Sequence, residues 1–168
     1  MLKTIKHAAI IALVAGAAAV AAPSSYASTK GAQFDVTLNL QNDCSISANS
    51  LDFGSNGTLT NNIDVNSSLA VTCTKGTTYD VALDSGTAPD STVLTRRMVG
   101  SDGTSTVDYG LFRDVARTQN WGNTQGTDTV SRVGTGDSQS IPVYGRVPPQ
   151  STPAAGTYHS TVTATVIF

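Results

Sequence analysis

The chain has 168 residues with ten basic and twelve acidic side chains, a net charge of −2, and every acidic residue is Asp. Thr, Ser, Asn, Gly and Val dominate while Glu, Lys and Leu are scarce, which excludes a helical domain and points to a nearly all-β one. A weakly acidic chain with scattered Arg also argues against nucleic acid and against electrostatic binding to an anionic membrane surface.

Residues 1–27 read as a secretory signal. Lys3 and Lys6 give a positive start, residues 8–22 are small and apolar, and Ser25-Tyr26-Ala27 places cleavage after Ala27. The apolar run is too short for a membrane span and ends at Pro23, and nothing later is long and apolar enough to insert. The mature chain is then about 141 residues, one domain by length; without Lys3 and Lys6 it keeps eight basic residues against twelve Asp, near −4. Cys44 and Cys73 are the only cysteines, and in an exported chain the expected state is one disulfide closing a loop worth roughly 3–4 kcal/mol. Their spacing matches no metal motif, and no cofactor is expected.

Residues 28–32 read as a leader. Over residues 33–41 the pattern alternates: Phe34, Val36, Leu38 and Leu40 on one face, Asp35, Thr37, Asn39 and Gln41 on the other. Such a strand at a free end is either the ordinary first strand of a self-contained sandwich or a device for joining one subunit to the next. Cys44 opens a second extended piece with Leu51 and Phe53 near its end, before the turn at residues 54–57. Residues 58–66 read as loop around one short strand. Residues 69–74 and 79–83 alternate, with Leu69, Val71, Cys73, Tyr79, Val81 and Leu83 inward. A strand is predicted over 93–99 with Arg96 and Arg97 on opposite faces, and another over 107–112 with Val107, Tyr109 and Leu111 on one side.

Residues 116–137 are a long polar stretch in which Trp121 either stacks on a sugar or, as favoured here, caps a sandwich end. A strand follows over 140–147. Residues 157–168 form the longest alternating run, with Tyr158, Val162, Ala164, Val166 and Phe168 on one face and His159 on the other, exposed and idle. Short strands at these intervals indicate an immunoglobulin-type β-sandwich. The run stops at Phe168 with no further strand to cover its edge, so a hydrophobic groove is expected there, and the surplus strand at 33–41 has the pattern to fill it from a neighbouring subunit. No nucleophile elbow or acid–base constellation indicates an enzyme. Arg113 and Asp114 read as a structural ion pair or a solvated strand end, and the Asp-Gly and Gly-Asp pairs as turns rather than calcium loops.

The segments Val143-Tyr-Gly-Arg-Val-Pro-Pro149, Pro153-Ala-Ala-Gly-Thr-Tyr158 and Thr161-Val-Thr-Ala-Thr-Val166 resemble the spore coat protein U domain family, as does Tyr109-Gly-Leu-Phe-Arg-Asp-Val-Ala-Arg117 with Trp121-Gly122. The family includes pilins of archaic chaperone–usher pili of Gram-negative bacteria, and the likeness spans the mature chain. It implies an incomplete immunoglobulin-like sandwich lacking its last strand, with residues 28–42 as the donor segment and 43–168 as the pilin domain. On this resemblance Phe34, Val36, Leu38 and Leu40 plug a neighbour's groove, residues 157–168 wall the acceptor groove, and the family disulfide falls on Cys44 and Cys73. The implied partners are a periplasmic chaperone, an outer-membrane usher and identical or related pilin subunits, in a cell-surface pilus serving adhesion and biofilm formation. The family often has an acidic residue after the Tyr of the last strand, where this chain has His159-Ser160, a departure confined to the outer face. The competing expectation is a secreted monomeric sugar- or surface-binding domain. The chain is too short for the second, binding domain of a tip adhesin, which favours a shaft subunit.

Overall fold

The computed structural model describes residues 25–168. The expected signal lies outside them apart from residues 25–27. Two units are distinguished, one ending at Leu38 and one spanning Asn39–Phe168. In the first, residues 25–38 contain no strand or helix. The second holds β1 (Cys44–Ala48), β2 (Ile63–Cys73), β3 (Thr78–Leu83), β4 (Arg96–Gly100), β5 (Thr106–Phe112), β6 (Val130–Val133), β7 (Ser138–Val147), β8 (Tyr158–His159) and β9 (Ala164–Ile167). No helix occurs among the described residues, so none crosses a membrane.

The strands form two sheets, in the order β1-β2-β7-β5-β4-β8 and β6-β3-β9, and every pairing is antiparallel. This is the expected all-β sandwich. The alternation of the sequence is what builds it: Leu69, Val71 and Cys73 on β2, Tyr79, Val81 and Leu83 on β3, Val107, Tyr109 and Leu111 on β5, and Ile141, Val143 and Val147 on β7 are all buried in one core.

Several expectations are corrected. The region 58–66 is not a loop around a separate short strand, because Ile63 and Val65 carry the alternation of β2 upstream, opposite Val147 and Gly145 of β7. The stretch 116–137 contains β6, whose Val130 pairs with Val81. Trp121 offers no face to a sugar from solvent; it is fully buried in the core and its Nε1–H donates to the Val81 carbonyl at 2.8 Å. Arg113 donates instead to the Thr129 carbonyl at 2.9 Å, while the Asp114 carboxylate accepts from the Thr118 and Gln119 amides at 3.0 and 2.8 Å, so the two are not an ion pair. The terminal run is divided: β8 pairs with β4 of the larger sheet and β9 with β3 of the smaller. Between them the chain bonds to a loop rather than a strand, with the Thr163 amide donating to Asp84 Oδ1 at 2.9 Å and the Thr87 amide to the Thr161 carbonyl at 3.1 Å.

Candidate functional site

An open groove runs along one side of the sandwich between two strand edges. β1 is an edge strand of the larger sheet and β9 an edge strand of the smaller. Residues 48–53, which continue β1, face residues 158–164 of the terminal run across a cavity of about 590 Å³. Its floor is the core itself: Leu69, Leu83, Met98, Tyr109, Leu111 and Val143. A second cavity of about 630 Å³ shares Leu51, Phe53, Met98 and Tyr158 and continues past Leu59, Val107 and Pro153. The core side chains beneath these cavities are largely buried, while the flanking edges of β1 and β9 are unpaired, and unpaired edges can accept an added strand.

The first wall is set by a covalent tie and a missing side chain. Cys44 and Cys73 lie directly opposite in the β1–β2 ladder, Cα atoms 4.1 Å apart, and are joined by a disulfide. Beyond β1, Leu51 and Phe53 lie over Gly145 of β7; a Cβ there would come within 2.9 Å of Leu51 Cδ1 and 3.2 Å of Phe53 Cζ. Phe53 meets Tyr109 edge to face at 6.1 Å.

In the second wall, Tyr158, Ser160, Val162, Ala164 and Val166 are half-buried while His159, Thr161, Thr163 and Thr165 are exposed. Of the residues expected to form this edge, Tyr158, Val162 and Ala164 line the groove. Val166 packs against the core, and Phe168 is 57% exposed. The His159-Ser160 departure is not confined to the outer face as expected: Ser160 is half-buried, lines the groove and accepts a hydrogen bond from the Tyr109 hydroxyl at 3.1 Å, and burial pushes the Tyr109 phenol upward from its ordinary value. Tyr158 donates to the Ala154 carbonyl at 2.6 Å. The support behind this wall includes Gly86, at φ 83°, whose missing Cβ would sit 2.8 Å from Ser160 Oγ.

Arg96 underpins the floor. It is fully buried and donates to the carbonyls of Asp84 (2.8 Å), Val93 (2.9 Å), Leu83 (3.2 Å) and Trp121 (2.7 Å). Desolvation lowers its pKa, opposed by the fields of Tyr109, Asp84 and Asp128. No hydrophobic alternation marks such a residue, so it was not legible as part of the site.

The apolar residues with the complementary pattern are at the N-terminal side. Phe34, Val36, Leu38 and Leu40 are 86%, 82%, 83% and 77% exposed, and residues 33–41 belong to no strand. Four large apolar side chains at every second position, all in water, are an unusual surface for a secreted domain. Among the described residues no cluster of three or more metal-ligating side chains occurs.

Residues 30–165 match the family model of the Spore Coat Protein U domain. Protein U of Myxococcus xanthus is 34% identical over 174 residues, an alignment covering 95% of this chain and 97% of that protein. A solved chain is also similar, with TM-score 0.56 and 26% identity over 76% of this chain and 40% of the other. It comes from the crystal structure of the chaperone–tip adhesion subunit pre-assembly complex of archaic chaperone–usher Csu pili of Acinetobacter baumannii. The present chain spans less than half of that chain's length.

Proposed function

Because this chain belongs to the spore coat protein U domain family, we propose that it is a structural subunit of a chaperone–usher pilus, polymerising by donor-strand complementation. The family and the fold are those of a structural subunit rather than an enzyme. The observation that carries the proposal is the pairing of an unfilled apolar groove in residues 39–168 with an unpaired alternating segment at 33–41.

In this reading Phe34, Val36, Leu38 and Leu40 of one subunit enter the groove of the next, and Tyr158, Val162, Ala164, Val166 and Phe168 edge the site that receives them. Burying four such side chains contributes on the order of 6–12 kcal/mol before ordering costs. Hydrogen bonds to the free edges of β1 and β9 fix direction and register. Before assembly a periplasmic chaperone covers the groove with its own strand, and an outer-membrane usher exchanges it for the next subunit. The product is a homopolymer or a polymer of related subunits displayed on the cell surface, where it serves adhesion and biofilm formation. The competing reading, a monomeric sugar-binding domain built around Trp121, has lost its aromatic platform to the core.

Replacing Leu38 with Asp tests the assignment. The variant is expected to form the chaperone complex normally, since its groove is intact, and to yield no fibres when chaperone and usher are co-expressed. Fibres of normal length from Leu38→Asp contradict the donor assignment.

A further inference from the structure

The residues that join the donor segment to β1 are held by side chains that β1 itself does not need. The Thr74 amide donates to the Asp43 carbonyl at 2.9 Å, extending the β1–β2 ladder by one residue. Thr74 Oγ1 then accepts from the Asp43 amide at 3.1 Å and donates to the Gln41 carbonyl at 3.2 Å. Thr77 Oγ1 donates to Asn42 Oδ1 at 3.0 Å, and Thr77 is itself buried and fixed by its amide to the Thr74 carbonyl (3.0 Å) and its carbonyl to the Gly134 amide (2.8 Å).

These bonds all lie on the β2 side of β1, toward the turn that leads into β3. The opposite edge of β1 is unpaired, and the groove reaches this strand at Ala48. Because both backbone groups of Asp43 point to Thr74, those of Cys44 point to the open edge. The Cys44 amide there is already taken by Asp43 Oδ1 at 3.0 Å. For residues 33–40 to fold back along β1 and fill the groove of the same chain, residues 41–43 must form a hairpin turn. That turn breaks the bonds to Thr74 and Thr77 and frees Asp43 from Cys44.

We propose that Thr74 and Thr77 form a clamp on residues 41–43 that denies a subunit's own donor segment access to its own groove, reserving the groove for a strand from another chain. The proposal rests on the donor-strand reading above and adds to it the device that selects between the same chain and the next. The backbone of residues 74–77 serves the turn from β2 into β3 and its bonds to Gly134, whereas the hydroxyls alone distinguish Thr from the isosteric Val.

The test uses the mature chain with its disulfide intact, refolded by dilution, and a fluorescent peptide of residues 28–43 as probe. The unsubstituted chain is expected to capture the peptide. The double variant Thr74→Val/Thr77→Val is expected to remain a monomer and capture about tenfold less, as loss of several hydrogen bonds shifts the balance toward self-filling. Adding Leu38→Asp, which disables the variant's own donor, is expected to restore capture. Undiminished capture by the double variant overturns the clamp and leaves the donor reading intact. Diminished capture that Leu38→Asp does not restore means the substitutions damaged the groove, and also overturns it. No capture by the unsubstituted chain removes the donor reading and the clamp with it.

Discussion

Arg96 takes a charge into the interior, and among the described residues no carboxylate forms an ion pair with it; four backbone carbonyls hold it instead. Those carbonyls belong to three separate pieces of chain, so one side chain fixes the end of β3, the loop before β4 and the segment carrying Trp121. Arg96→Met would leave them orphaned in a dry site, and a loss of about 3 kcal/mol or more is expected in denaturant unfolding. Asp80 is a second buried polar residue, accepting from Ser131, from Thr129 at 3.0 Å and from Gln125 at 3.0 Å. These bonds, Ser131 first, hold its carboxyl below the ordinary 3.8. A carboxyl lowered on folding stabilises the fold above its unfolded value and loses that contribution as pH falls through the folded one. Asp80→Asn should therefore be less stable than the parent at neutral pH, with the gap closing below about pH 4; a gap constant from pH 7 to pH 2 is the contrary result. The sequence marks neither residue, since alternation identifies apolar faces and says nothing of which polar groups find enough partners to be buried.

At the scale of elements, the walls of the groove depend on features that act at single points. Gly86→Ala would force a side chain into the left-handed region and against Ser160. A loss of about 1–2 kcal/mol in thermal or denaturant unfolding is expected, with weaker capture of a donor peptide. Removing the disulfide as Cys44→Ala/Cys73→Ala should cost roughly 3–4 kcal/mol and release β1 from β2, visible as faster amide exchange in β1 than in β7. The interior strands β3, β5 and β7, and β2 from Leu69 onward, were legible because each carries a clean period-two pattern and has a neighbour on both sides. The terminal run was legible as an alternating face, but not as two strands. What interrupts it is Asp84 and the backbone of the loop at 84–87, and such a partner is set by tertiary contact rather than by local pattern. β6 was hidden for a related reason: Val130 and Val133 are too few and too polar in context to signal a strand without β3 beside them.

For the whole molecule, two features of the sequence underlie the proposed groove and its occupant: an alternating segment before Cys44 and an alternating run at 157–168. Phe34, Val36, Leu38 and Leu40 are exposed, and Tyr158, Val162 and Ala164 are half-buried along the groove. Leu51, Phe53, Met98 and Ser160 complete the groove and came only with the fold, because they are brought together from loops far apart in sequence and from β4. The floor residues Leu69, Leu83, Tyr109, Leu111 and Val143 are already buried within the chain, so a strand laid over them would deepen a core that is largely formed. The central claim is that this strand comes from another subunit. The most direct measurement is an unboiled denaturing gel of the mature protein co-expressed with the proposed chaperone and usher. The account predicts a regular ladder of oligomers, resistant to detergent at room temperature, that collapses to monomer on boiling without reductant. A soluble monomer, stable with no chaperone present and giving no ladder, would contradict it.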